Sequence, residues 1–177
     1  MGGCASAKSI QKKYSISSKR TSSSLDNVPG LMRLEIACME FEHQLKAEIE
    51  TLQKVFETNK KTINDIIEKG QSSDSTKMQG SSLKLINSMN QIKIYEMLLE
   101  CCSGIEEETH NLLNKNVTDQ VKSYICNIIW SASKLKNVTC IQEFRQLLEP
   151  YVNLSKTDLS YSIDPELRGL FSKLSES

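Results

Sequence analysis

The residues that most enzymes and metal proteins depend on are scarce in this sequence, and each shortage closes off a class of function. Only two histidines occur, His43 and His110. Neither has a second ligand or a nucleophile at useful spacing, so both read as surface helix residues rather than catalysts or metal ligands. No glycine-rich phosphate loop follows a strand, because no segment alternates as a strand does. The cysteines, Cys4, Cys38, Cys101, Cys102, Cys126 and Cys140, include no Cys-x-x-Cys pair, which argues against a zinc site. No apolar run approaches the roughly 20 residues that cross a bilayer, and the N-terminus lacks the apolar stretch of a secretory signal. A cytoplasmic protein with reduced thiols is expected. The acceptor patterns at Asn116, Asn137 and Asn153 then carry no glycosylation meaning. No catalytic residue, metal or cofactor is assigned.

What is present begins at the first residue. Met-Gly-Gly-Cys-Ala-Ser places Gly2 at the new N-terminus after loss of Met1, with Ser6 where the N-myristoylation signal requires Ser or Thr. Cys4 stands beside it as a palmitoylation candidate. One myristoyl chain binds a bilayer only marginally, with an association constant on the order of 10⁴ M⁻¹, so a second signal is needed for stable anchoring. Cys4 is one such signal. The other is a basic patch, Lys8, Lys12, Lys13, Lys19 and Arg20, with no acidic residue before Asp26. Each cation near an anionic cytosolic leaflet contributes roughly 1 kcal/mol. Phosphorylation of the serines interspersed there would oppose that attraction.

The formal net charge is zero, so the remainder of the chain is acidic by as much as the leading segment is basic. That balance argues against nucleic acid as a partner of the folded part. Residues 1–27 read as a basic, Ser-rich, lipidated tail and 28–177 as one helical domain.

From Leu31 onward, Leu31, Leu34, Cys38, Phe41, Leu45, Leu52, Val55 and Ile66 recur at three- and four-residue steps without proline. This spacing predicts one helix of about forty residues with a narrow apolar seam. Glu48, Asn59 and Thr62 interrupt the seam, which favours an antiparallel packed partner. Gly70-Gln-Ser-Ser-Asp-Ser is a break, with Asp74 or Ser75 as the next N-cap. A second long helix follows, its face formed by Met78, Leu85, Met89, Ile92, Leu99, Cys102, Ile105 and Leu112, with a bend at Gly104. A short polar connection between two long helices predicts an antiparallel hairpin.

Three shorter helices complete an all-α architecture. One is capped by Thr118 or Asp119 and carries Ile129 and Trp130. The next starts at Asn137, turns Leu147 inward and ends near Pro150. The last opens with Asp164 and Pro165 and buries Leu170. Leu34, Phe41, Leu45, Leu52, Leu99, Ile129, Trp130, Leu147 and Leu170 are the expected core markers. Cys101 and Cys102 point in different directions on one helix and are expected to pack as small apolar residues. Glu106, Glu107 and Glu108 read as a solvated helix face.

Four blocks carry a family resemblance: Tyr95-Glu-Met-Leu-Leu-Glu-Cys-Cys, Ile125-Cys-Asn-Ile-Ile-Trp-Ser-Ala, Glu143-Phe-Arg-Gln-Leu-Leu and Ile163-Asp-Pro-Glu-Leu-Arg-Gly-Leu-Phe-Ser-Lys-Leu. In this order the chain resembles, over residues 28 to 174, the increased-sodium-tolerance family of ESCRT-III-like proteins. The resemblance implies an ESCRT-III-like core that assembles with other ESCRT-III subunits on endosomal membranes and adjusts the AAA ATPase that dismantles them. It further implies a place in multivesicular-body sorting, with a homo-oligomer or hetero-polymer as the working form.

Three departures accompany it. The first helix mixes Lys and Arg with more numerous Asp and Glu, so the acylated tail is expected to replace it in binding lipid. Ser133 stands where the family often has proline. The sequence stops at Ser177 without the terminal peptide that engages MIT domains, so no ATPase contact through that peptide is expected. The alternative reading is a lipidated helical coiled-coil scaffold or signalling adaptor at a cytoplasmic membrane surface, unrelated to ESCRT.

Overall fold

In the computed structural model, residues 30–70, 75–114, 116–152 and 162–175 are described. Gly2, Cys4, Lys8, Lys12, Lys13, Lys19, Arg20, Asp74 and most of the connector before Ser162 lie outside the described residues. The described chain is all-α, with no strand.

Helix α1 spans Gly30–Glu68. It contains neither glycine nor proline after its first residue, so nothing in the backbone interrupts a rod of about 58 Å. Gly70 stops it by taking φ +60°, a left-handed conformation open to glycine, while its N–H donates to the Ile67 carbonyl at 3.1 Å. Helix α2 then runs over Ser75–Glu107. The link between them is too short for anything but an antiparallel return. The pairing agrees with that direction, since the Cys102 thiol, late in α2, donates to the Cys38 carbonyl, early in α1, at 3.5 Å.

The second helix ends sooner than its apolar pattern suggested. Glu106, Glu107 and Glu108 place three carboxylates at the negative end of the helix dipole, with no basic residue in the last turn to offset them. The Thr109 hydroxyl also reaches the Ile105 and Glu106 carbonyls, at 3.0 and 2.8 Å, competing for the helical ladder. Leu112 is therefore buried from a separate short helix, α3, Thr109–Leu113. Gly104 lies inside α2, which continues through it.

Helix α4, Asp119–Ala132, is capped by Thr118, whose side chain accepts from the Val121 N–H at 3.3 Å. Helix α5 is Ile141–Leu148 and passes into a 3₁₀ turn, Glu149–Tyr151, that contains Pro150. It begins four residues later than Asn137, because Val138 is itself buried and its carbonyl takes the Ile141 N–H as a turn. Helix α6, Pro165–Ser175, starts as the sequence suggested: Asp164 Oδ1 accepts from the N–H groups of Glu166 and Leu167 at 2.7 and 3.3 Å.

The core occupies one end of the hairpin. Leu34, Ala37, Cys38, Phe41 and Leu45 of α1 face Ile94, Tyr95, Leu98, Cys102 and Ile105 of α2, and the short helices wrap that end. Helix α5 crosses α1, where Phe41 and Phe144 pack with ring centroids 5.1 Å apart. Gln44 ties the start of α5 down, donating to Thr139 Oγ1 and accepting from the Cys140 N–H, both at 3.1 Å. Helices α4 and α6 both lie on α2. Burying a side chain such as Phe41, Phe144, Leu45 or Leu98, each under 2% exposed, contributes roughly 1.5–3 kcal/mol.

Among the nine core markers, Leu34, Phe41, Leu45, Ile129 and Leu170 are buried, whereas Leu52, Leu99, Trp130 and Leu147 are half-buried and packed on the core's edge. Leu52 packs against the edge of the core from α1. Leu99 yields the inward position to Leu98, one residue away. Val55, expected on the seam, is exposed while Phe56 is half-buried. Met78 and Met89 are likewise exposed, because the far half of α2 turns Ser81, Leu85, Ser88 and Ile92 toward α1 instead.

Candidate functional site

Helices α2, α4 and α6 meet around a small polar link in an otherwise apolar junction. Asn127, 4% exposed on α4, accepts the Asp164 N–H on Oδ1 at 2.9 Å and directs Nδ2 to Cys101 Sγ at 3.6 Å. One amide therefore joins α2, α4 and the start of α6. Burial raises the Cys101 thiol pKa to about 12, with the Asn127 contact partly opposing the shift. Cys102 is raised as well, by its contact with Cys38 and by burial, and Cys140 reaches about 12 through burial. These thiols stay protonated at neutral pH and behave as packing groups, as expected for Cys101 and Cys102.

Trp130 and Phe171 close the outer edge of the junction, edge to face with centroids 5.2 Å apart. The Lys134 ammonium sits 4.6 Å from the Trp130 ring centroid and 5.9 Å from that of Phe171, a cation–π contact at the edge of the half-buried indole. On the far side of α6, Glu166 pairs with Lys93 of α2, and this carboxylate raises the lysine pKa.

An open depression of about 480 Å³ lies between the start of α4 and the entry to α6. Its polar groups are already engaged. Asp119 pairs with Lys122 at 2.8 Å, which lowers the Asp119 pKa, and Asp164 caps α6. The two histidines are exposed on different helices, His43 on α1 and His110 on α3. Glu106 and Glu107 are exposed, and Glu108 accepts from the Asn111 side chain. Among the described residues, no group of three or more His, Cys, Asp or Glu side chains could hold a metal ion, and no helix is long and apolar enough to cross a membrane.

The exposed apolar side chains form a more extensive feature. Met32 and Met39 stand out from α1 beside the core, while Leu83, Ile86 and Met89 stand out from the far half of α2, at 53%, 51% and 52% exposure. Of the α2 stripe the sequence expectation, which followed one face, held only Met89, as an inward residue, and omitted Leu83 and Ile86. A signal was available, because Leu83, Leu85 and Ile86 cannot all share one side of a helix, so a second apolar face was implied.

A scan against protein-family models finds none that matches, and a search of curated proteins finds no relative.

Proposed function

We propose that this protein is a membrane-anchored ESCRT-III-like subunit or regulator in endosomal, multivesicular-body sorting, acting by assembly with other ESCRT-III subunits rather than by turnover. One observation carries the reading. The four sequence blocks that resemble the increased-sodium-tolerance family fall on the core half of α2 and on α4, α5 and α6, the three helices that pack around that end of the α1–α2 hairpin. That the four blocks meet in one core supports reading it as ESCRT-III-like. The stiff hairpin and the largely engaged polar groups of the open depression favour function through a surface.

In this reading Gly2 carries myristate, Cys4 a second acyl chain, and Lys8, Lys12, Lys13, Lys19 and Arg20 add attraction to anionic lipid. Partners are ESCRT-III subunits and, through them, the AAA ATPase. Fractionation tests the anchor: Gly2→Ala releases the protein from membranes and Cys4→Ser shortens its residence. Co-purification tests the assembly. Recovery of ESCRT-III subunits supports the reading, while signalling partners in their absence transfer the protein to the class of lipidated adaptors.

A further inference from the structure

Cys38 of α1 and Cys102 of α2 face each other across the hairpin, 1% and 2% exposed. The Cys102 thiol donates to the Cys38 carbonyl at 3.5 Å, and the two thiol groups are in hydrogen-bonding contact with each other. Cys101, next in sequence, turns to Asn127 instead, and Cys126 turns to Ser162. Cys140, at the entry to α5, lies close enough to interact electrostatically with Cys102. A disulfide demands side chains that point at each other from neighbouring backbones, and the Cys38–Cys102 pair meets that demand.

Position gives the pair its consequence. The chain joins α1 to α2 through Gly70, and Cys38 and Cys102 lie toward the opposite end of the hairpin, 64 residues apart in sequence. A bond there ties the two helices at both ends, so they cannot part. Closing so long a loop also restricts the unfolded chain strongly.

We propose that Cys38 and Cys102 are a redox staple, joined by a peroxide and released by a thiol reductant, that locks the core end of the hairpin. One sulfur takes an oxygen from hydrogen peroxide, becoming a sulfenic acid as the O–O bond breaks and one water leaves. The second sulfur then displaces that oxygen as a second water. Both S–H bonds are lost, one S–S bond forms, and the peroxide accepts the two electrons.

Enclosure decides when this happens. The contact with Cys38, burial and the nearby carboxylates of Glu42 and Glu106 all hold the Cys102 thiol protonated, so the closed hairpin reacts slowly. Oxidation proceeds through transient separation of α1 and α2, and the bond is made as they come back together. The staple therefore captures chains that have begun to open.

The test uses the full chain carrying Cys4→Ser, so that the leading thiol takes no part, with hydrogen peroxide or diamide, a neutral two-electron oxidant. Remaining thiols are blocked and trypsin, cutting after Arg33, Lys46, Lys93 and Lys115, places Cys38 on residues 34–46 and Cys102 on residues 94–115, apart from Cys126 and Cys140. The expected product is these two peptides joined with the loss of two hydrogens. It forms in Cys101→Ala and not in Cys102→Ala. Its rate rises as urea approaches the unfolding midpoint, and the oxidised monomer has a higher urea midpoint that dithiothreitol returns to its starting value. Residues 34–46 recovered unlinked, under conditions that oxidise the unfolded chain, overturn the proposal. So does a link from 34–46 to the Cys140 peptide, a cross-link lost in Cys101→Ala but kept in Cys102→Ala, or an oxidised chain with a lower midpoint. Should Cys102→Ala fail to fold, the peptide map of the chain that retains Cys102 decides.

Discussion

Tyr124 of α4 lies so close to Gly104 of α2 that a Cβ on the glycine would meet the ring's Cε2 at 2.3 Å and Cδ2 at 2.7 Å. The glycine is what lets the two helices approach here, and Gln120 fixes the ring from the other side by donating to the Tyr124 hydroxyl at 2.7 Å. Gly104→Ala is expected to destabilise the protein by about 1–3 kcal/mol through overpacking, despite the gain in helix propensity. Urea denaturation of Gly104→Ala, Tyr124→Leu and the double variant measures it, with the double variant recovering part of the loss.

Asn127 makes the second prediction. Replacing it with Ala leaves the Asp164 N–H without its buried acceptor and removes the link to Cys101. A cost of roughly 1–3 kcal/mol follows from the orphaned donor. Hydrogen exchange should speed at the amides of Asp164, Glu166 and Leu167 more than in the core half of α1, because the first effect is on the seating of α6.

Aromatic truncation separates the centre of the core from its edge. Phe41→Ala removes a fully buried ring in contact with Phe144 and should cost about 3–5 kcal/mol. Trp130→Ala should cost less than that, since the indole is half-buried and part of its contact is to Phe171 and Lys134. Thermal melts in which the tryptophan variant is the weaker of the two would contradict the placement of these rings.

The buried thiols set a pH dependence. Cys101 and Cys140 have pKa values raised from 9.0 to about 12, and Cys102 and Cys126 are raised as well. Below about pH 9 both folded and unfolded thiols are protonated, and the stability they support is fully present. Above it the unfolded chain ionises while the folded one resists, so the unfolded state binds fewer protons and stability falls as pH rises toward 12. The slope reaches about 1.4 kcal/mol per pH unit for a fully buried thiol such as Cys101. Urea midpoints from pH 7 to 11 check this, and Cys101→Ala should flatten the curve.

Much of the architecture was legible in the sequence because local rules decide it. Uninterrupted three–four spacing marks α1, Gly70 stops it, and Thr118 and Asp164 cap the helices they were expected to cap. The register of α2 was harder to read, because Leu83, Leu85, Ile86, Met89 and Ile92 offer apolar residues on more than one side. Which side turns inward was decided by α1, through Ser81 and Ser88, two small polar residues that permit close packing. The early end of α2 needed an electrostatic argument about Glu106 to Glu108 that periodicity omits. The Asn127 link depends on residues 37 positions apart and has no local signature.

The central claim is that a lipid-held hairpin joins ESCRT-III subunits on a membrane, and reconstitution tests it most directly. Myristoylated protein, anionic vesicles and purified ESCRT-III subunits are mixed and sedimented. The account predicts that a subunit pellets with the protein in fixed proportion and that Gly2→Ala abolishes this recruitment. Vesicle binding by the protein with every subunit left in the supernatant would contradict it.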